Sequence, residues 1–254
     1  MPTISINGNS ISYESANPDS QALPLIFVHG AGGSSHKWLS QLAYLAGSYK
    51  PLAVDLPGHG RSGGQGARDI ADYREFIKSF AEALNLGPFV LAGHSMGGAI
   101  TLDFARQYPE MLKGIILVGT GAKLRVAPDF LEFFRQGNNP PNFRQLAYSA
   151  KTPDEVFYQG EKDYKLTGNE IRYGDFLACD SFDIRASLAG IKLPALIICG
   201  DEDVLTPAKY SEYLQANLPL ATMDIIPNAG HMVMIEQPDA VNTAIDKFLQ
   251  GLNR

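Results

Sequence analysis

The sequence predicts an α/β fold in which helices cover both faces of a mostly parallel, doubly wound sheet. Short, continuous apolar runs, typical of strands buried on both faces, alternate with longer amphipathic segments. The clearest runs are residues 25–28, 89–92 and 195–199. At 254 residues the chain is long enough to bury a deep core.

Composition narrows the class of protein. Hydrophobic residues make up 45% of the chain and charged residues 19%, as in an ordinary water-soluble globular protein. The net charge is −6 and no run of lysine or arginine is present, so we expect no nucleic-acid partner. With neither a signal peptide nor an apolar window long enough for a membrane span, we expect a cytoplasmic protein. The oligomeric state stays open.

The N-terminal half begins with a hairpin and continues with strands and helices in alternation. Residues 3–13 alternate apolar and polar side chains around Asn7-Gly8, the pattern of a β-hairpin. The apolar runs predict strands at 25–28 and 52–54. Helical spacing predicts helices at 36–45 and 69–86, the second ending before Gly87.

The C-terminal half continues the same alternation after an interruption. Strands are predicted at 115–118, 195–199 and 223–226, with helices from about residue 207 and over 241–249. The two cysteines suggest no disulfide framework, and Cys199 is expected in the core. Because ligands of such sheets bind at the carboxyl ends of the strands, functional groups should gather there.

The strongest motif is Gly93-His94-Ser95-Met96-Gly97, between the strand at 89–92 and a helix that begins near Met96. This is G-x-S-x-G in the strand–turn–helix context of a nucleophile elbow. A strand that turns directly into a helix forces Ser95 into a strained, positive-φ conformation and leaves no room for side chains at 93 and 97. The alternative, a glycine-rich turn with a chance serine, is weakened by the partners described next. We predict Ser95 as the nucleophile.

A second glycine-rich loop, His29-Gly30-Ala31-Gly32-Gly33, directly follows the strand at 25–28. Acyl transfer forms an oxyanion that needs two fixed donors about 3 Å away, and glycines let backbone amides approach that closely. The Ala31 amide is the first candidate donor and that of Gly32 is next. The amide of Met96, after the nucleophile, is the second donor.

A nucleophilic serine also needs a base and an orienting carboxylate. Of five histidines, His231 follows the final predicted strand and is best placed to reach Ser95. The loop after the strand at 195–199 holds Asp201, Glu202 and Asp203. Its spacing favours Asp203, although composition alone does not separate it from Asp201.

The order Ser95, Asp203, His231, together with the 29–33 loop and the stretch from Asp55 to Ser62, resembles the α/β-hydrolase superfamily over nearly the whole chain. The resemblance implies an eight-stranded sheet with an inserted helical cap, Asp203 as the acid of a Gly-x-x-Asp element, and oxyanion amides from Ala31 and Met96. It also implies that the 55–62 loop is structural. No metal and no organic cofactor are implied.

The inserted cap is expected at 121–189, with the core at 1–120 and 190–254. Residues 130–182 hold 11 of the chain's 24 Phe and Tyr residues. Such content more often packs a cap onto the core than contacts substrate, but a lid with an apolar underside suggests a hydrophobic pocket. No row of positive residues points to a charged substrate, although Arg125, Arg135 and Arg144 are among the residues of the cap.

Within this superfamily the residues favour hydrolysis of carboxylic esters, with a small-molecule ester as the partner. Dehalogenases and epoxide hydrolases use an aspartate where Ser95 stands. Carbon–carbon hydrolases of the meta-cleavage type commonly carry asparagine before the serine and tryptophan soon after the histidine, where this chain has His94 and Met232-Val233-Met234. The remaining alternatives are a lactonase, a perhydrolase like the non-haem haloperoxidases, and a ligand-binding receptor that reuses the fold.

Overall fold

The computed structural model describes residues 1–138, 140–161 and 166–252, and its strands form one eight-stranded sheet. The sheet order is β1-β2-β4-β3-β5-β6-β7-β8. The strands are β1 (Thr3–Ile6), β2 (Asn9–Ser15), β3 (Pro24–Val28), β4 (Lys50–Val54), β5 (Phe89–His94), β6 (Leu112–Val118), β7 (Ala195–Gly200) and β8 (Ala221–Ile226). Strands β3 to β8 run parallel, and β2 joins them antiparallel through β4. The predicted fold class is confirmed.

Helices lie between the strands along the chain. They are α1 (Leu39–Leu45), α2 (Ile70–Ala83), α3 (Met96–Gln107), α4 (Pro128–Arg135), α5 (Phe143–Ala147), α6 (Asp154–Glu161), α7 (Asn169–Ser181), α8 (Ala208–Asn217), α9 (Val233–Glu236) and α10 (Pro238–Leu252). Within the described ranges, none is long and apolar enough to cross a bilayer.

Both faces of the sheet are buried, as the continuous apolar strands predicted. In β3, Ile26 and Val28 pack with α2 and α3 in one core cluster, whereas Leu25 and Phe27 pack with α1 and α10 in a second. The alternation follows from the pleat, which points successive side chains to opposite faces. The two clusters are therefore the two layers of a doubly wound domain.

Most predicted elements are present, with shifted boundaries. The hairpin turns at Asn7 and Gly8, whose φ values of +50° and +79° are those of a type I′ turn. The helix predicted at 36–45 begins instead as a 3-10 turn over Ser35–Trp38 before α1. Helix α9 was not predicted, because four residues are too few to show a helical period.

The helices α4 to α7 fall between β6 and β7, where the cap was expected. Residues 139 and 162–165 of that stretch lie outside the described residues. Aromatic rings join its helices: Phe134 of α4 and Phe176 of α7 stack with centroids 3.8 Å apart. The division into a core (1–120 and 190–254) and a cap (121–189) stays a prediction.

The turn between β5 and α3 brings three backbone segments into direct contact. Ser95 has φ +53° and ψ −114°, the strained conformation that the motif predicted. A Cβ on Gly93 would lie 2.6 Å from the Gly98 nitrogen, and one on Gly97 would lie 2.8 Å from the His29 oxygen, with a nearer backbone atom in each case. Only glycine fits at these two positions.

We therefore expect Gly97→Ala to lower the free energy of unfolding by about 3 kcal/mol, because the added methyl group must push β3 and α3 apart. Urea denaturation measures the loss. Gly47→Ala is the matched control, since a Cβ there meets no atom within 4 Å. Equal stability of the two variants would contradict the proposed contact.

Candidate active site

Ser95 lies between β5 and α3, at the wall of a cavity of about 260 Å³. Its backbone is fixed from neighbouring strands: the Ser95 amide donates to the Val118 carbonyl (2.9 Å), and the Thr120 hydroxyl donates to the Ser95 carbonyl (2.8 Å). The cavity is also lined by His231 and by Gly30, Ala31 and Gly33. The residues predicted as nucleophile, base and first oxyanion donor therefore face one space.

Asp203 and His231 are in direct contact. Asp203 Oδ2 lies 2.9 Å from His231 Nδ1, and both residues are 5% exposed. The Asp203 carboxylate also accepts hydrogen bonds from the amides of Leu205 and Thr206 and from the Thr206 hydroxyl. Burial alone would raise the pKa of Asp203, but the charge and hydrogen bond of His231 outweigh it and lower the pKa below its ordinary value. An ionised Asp203 accepts the Nδ1 proton and leaves Nε2 of His231 as the acceptor.

The neighbouring carboxylates have other partners. Asp201 is exposed and contacts the Ala229 amide at 3.4 Å. Glu202 accepts from the Ser149 hydroxyl (2.6 Å) and pairs with Lys151 (3.2 Å). Of the three candidates in this loop, the structure brings Asp203 to His231.

His94, within the elbow motif, supports the backbone of His231. Its Nε2 donates to the His231 carbonyl at 2.9 Å, and the two rings lie 4.6 Å apart between centroids. Burial, reinforced by the nearby His231 ring, lowers the pKa of His94 well below its usual range. A neutral imidazole with one N–H is the form that this hydrogen bond requires, so His94 holds the loop that carries His231.

The loop after β3 forms a tight turn against the elbow. The Gly33 amide donates to the Gly30 carbonyl (3.0 Å), and Gly32 has φ +66°, as position i+2 of a type II turn requires. A Cβ on Gly30 would lie 3.2 Å from the Ser95 Cβ. The turn therefore places the Ala31 backbone beside Ser95.

The Gly32 amide, which the sequence analysis named after Ala31 as a candidate oxyanion donor, already has an acceptor. It donates to Asp175 Oδ2 at 2.8 Å. Among the residues that the structure describes, the Ala31 amide has no hydrogen-bond acceptor, and neither has the Met96 amide, which begins α3 and has no partner within its helix. These two amides remain available to an anion.

Asp175 is a contact residue that sequence reasoning missed. It lies in the middle of α7, is fully buried, and also accepts from the His59 Nε2 (2.8 Å) and the Tyr73 hydroxyl (2.5 Å). A charged residue on a surface helix is usually solvated, so composition gave no reason to select it. The available signal was its position one turn before Ala178 and Cys179, on the apolar face of the helix.

The cavity above Ser95 is largely apolar and is closed by residues between β6 and β7. Its walls include four phenylalanines: Phe130, Phe134, Phe143 and Phe176. Two cations also line it. Lys37 is buried and donates to the Gly160 carbonyl in α6, whereas Arg125 is exposed.

The Asp175–His59 pair predicts a pH-dependent stability. Burial alone would lower the pKa of His59, but the charge and hydrogen bond of Asp175, together with the Pro57 carbonyl and the charge of Asp55, outweigh burial and raise this pKa above its ordinary value. Such a pair stabilises the fold fully below the unfolded-state pKa, about 6.5, and loses this contribution as the pH rises through the folded-state pKa. Asp175→Asn should lose about 3 kcal/mol of unfolding free energy at about pH 6, and less at about pH 9.

Urea denaturation of wild type and variant at both pH values measures how much smaller the difference in their unfolding free energies is at the higher pH. Asp180→Asn serves as control, because its carboxylate lies on the same helix and accepts the Val126 amide (2.9 Å) rather than a histidine. A stability loss in Asp175→Asn that is the same at both pH values would count against a charged His59.

Comparisons with known proteins agree with the fold. A model of the alpha/beta hydrolase family matches residues 25–244. One sequence relative is an (E)-2-((N-methylformamido)methylene)succinate hydrolase of Acinetobacter baylyi, which is 28% identical; the match covers 89% of this chain and 90% of that protein. A second is a dihydrolipoyllysine-residue acetyltransferase component of the acetoin cleaving system of Pseudomonas putida. It is 29% identical, and the match covers 89% of this chain and 63% of that protein. The chain thus spans less than two thirds of the second protein's length.

Solved structures share this fold. The enol-lactonase from Burkholderia xenovorans has a TM-score of 0.87 at 22% identity, covering 98% of this chain and all of that one, which shows a shared fold. A thermophilic esterase has a TM-score of 0.82 at 28% identity, covering 99% and 97%. With the family model matching most of its length, this chain belongs to the alpha/beta hydrolase family.

Proposed function

We propose that the protein hydrolyses carboxylic esters of small to medium size, with an apolar acyl or alcohol part, through an acyl-enzyme on Ser95. One observation carries the proposal: Ser95, His231 and Ala31 line a single cavity, and His231 Nδ1 lies 2.9 Å from the buried Asp203 carboxylate. Nucleophile, base and orienting acid in this arrangement support nucleophilic acyl transfer.

In the first step His231, oriented by Asp203, takes the proton from Ser95 as the serine oxygen attacks the ester carbonyl. The carbonyl oxygen becomes an oxyanion, which the unoccupied amides of Ala31 and Met96 stabilise. Fixed donors of this kind are worth about 3–4 kcal/mol each in the transition state. The C–O bond to the alcohol then breaks, and His231 returns the proton to the leaving alcohol.

In the second step water replaces the alcohol. His231 removes a proton from the water as its oxygen attacks the acyl carbon, and the same two amides hold the second oxyanion. The bond to Ser95 breaks, the serine regains its proton from His231, and the carboxylic acid leaves.

The cavity supports a small ester with an apolar part. Its volume of about 260 Å³ lies just below the usual range of ligand pockets, about 300–1,000 Å³. Phenylalanines line it, and the esterase among the structural relatives is consistent with this chemistry. Residues 121–189 serve as its cap in this proposal. The partner is a small-molecule ester in the cytoplasm, with no cofactor.

The first prediction for this function concerns the nucleophile. Ser95→Ala should reduce hydrolysis of p-nitrophenyl acetate and butyrate to background, because no other group forms the acyl-enzyme, and should keep the wild-type fold by circular dichroism. Full residual activity would overturn the assignment. Absence of serine-dependent turnover on any chain length from acetyl to palmitoyl would favour the carbon–carbon hydrolase or the receptor alternative.

The second prediction separates the two aspartates. Asp203→Asn should lower kcat by about 10⁴-fold, because it removes the carboxylate that selects the His231 tautomer. Asp201→Asn is the matched control and should change kcat by less than about threefold, because Asp201 contacts a backbone amide instead. Steady-state kinetics on p-nitrophenyl butyrate compares them, and a larger loss in Asp201→Asn would show that the wrong acid was chosen.

A further inference from the structure

A second cavity of about 470 Å³ adjoins the one above Ser95. The two cavities share Arg125 and Tyr210 in their walls. The Tyr210 ring packs directly on Gly121, where a Cβ would lie 2.7 Å from Tyr210 Cδ2. Tyr210 is therefore a fixed wall between the apolar cavity and the outer one.

The outer cavity is basic, although the chain as a whole carries a net charge of −6. The described residues that line it include no carboxylate, and four are cations: Lys123, Arg125, Arg185 and Lys209. Just outside the lining, Asp183 pairs with both Lys123 (3.1 Å) and Arg185 (2.7 Å). The single Asp183 carboxylate thus forms ion pairs with two of the four cations.

For the other two cations, the described part of the chain supplies no acidic partner. In the described ranges, neither Arg125 nor Lys209 has an ion pair, and Lys209 Nζ lies 6.0 Å from the centroid of the Tyr210 ring. The nearby Asp180 carboxylate accepts the Val126 amide. By contrast, two further arginines of the predicted cap have acidic partners: Arg135 pairs with Glu132 and Arg144 with Asp154.

Arg125 is thus an uncompensated cation in the wall of the cavity that holds Ser95. Guanidinium groups bind carboxylates through two parallel N–H···O bonds, which fixes orientation as well as charge. Because Arg125 is exposed and lines both cavities, it lies where they adjoin, which we call the mouth of the apolar cavity. A substrate with its ester carbonyl at Ser95 and its apolar part against the phenylalanines can extend a distal group towards this mouth.

We propose that the ester cleaved at Ser95 carries a carboxylate, held at the mouth of the cavity by Arg125 with Lys209 adding positive charge. The inference rests on the proposed ester hydrolysis and names its substrate class: monoesters of dicarboxylic acids, or esters of hydroxy acids. The reaction is otherwise unchanged, with water added across the ester bond and the distal carboxylate untouched.

The test compares two esters that differ only at the distal end of the acyl chain: mono-4-nitrophenyl glutarate, which ends in a carboxylate, and 4-nitrophenyl pentanoate, which ends in a methyl group. Wild type should prefer the glutarate by about tenfold or more in kcat/KM, because hydrogen bonds to charged groups are the strong ones. The preference should shrink as ionic strength rises, since Arg125 is exposed.

Arg125→Gln should lower that preference about tenfold, and Arg125→Lys should retain part of it, because lysine keeps the charge and loses the two-pronged geometry. Arg135→Gln is the matched control: it removes a cap arginine that lines neither cavity, and the preference should not change. The carboxylate site would be overturned if wild type hydrolysed the pentanoate at least as well as the glutarate, or if Arg125→Gln left the preference unchanged. Either result would leave the proposed ester hydrolysis in place.

If neither ester is turned over in a Ser95-dependent way, the proposed function fails, and a binding measurement then tests the carboxylate site on its own. Calorimetry with the Ser95→Ala protein then measures the affinity for mono-4-nitrophenyl glutarate. Adding Arg125→Gln should weaken the affinity about tenfold. Equal affinity in the single and double variants would overturn the site.

Discussion

Backbone contact at the turn between β5 and α3 sets the position of everything else in the site. Gly93 and Gly97 let the strand, the helix and the end of β3 approach at distances that no side chain permits. Ser95 takes its positive φ as a result, at a cost of about 1–3 kcal/mol for a residue other than glycine. Such strain persists only where the surrounding structure fixes it. Here the largely buried strands on both sides of β5, β3 and β6, do so.

The same turn also positions the candidate base. His94, next to Ser95, donates to the His231 carbonyl, and Asp203 holds the other end of that residue through Nδ1. Asp203 is itself held by the amides of Leu205 and Thr206. Ser95, His231 and Asp203 are therefore fixed by contacts from the ends of different strands. The parallel sheet brings these strand ends to one edge. A shift of β5 would displace both Ser95 and the support of His231.

Much of this could be predicted from the sequence, because the signals are local. Glycine spacing identifies the elbow, and apolar runs place the 29–33 loop and His231 at strand ends. Spacing in the chain favoured Asp203, but composition did not separate it from Asp201, because the contact that distinguishes the two is with a residue 28 positions away. The role of Gly32 was hidden for the same reason, since its amide is occupied by Asp175, 143 residues later.

Asp175 also changes the picture of the predicted cap. Its carboxylate is fully buried and accepts from Gly32, His59 and Tyr73, all outside the stretch 121–189. Removing one partner of such a buried charged pair costs about 3–5 kcal/mol, so α7 is bound to the core far more firmly than a surface helix. Through Gly32 it also holds the turn that presents the Ala31 amide. In physical terms α7 belongs with the core, although the chain order assigns it to the insertion. Movement of α7 would break the hydrogen bond from the Gly32 amide to Asp175, and with it the support of the 29–33 loop beside Ser95.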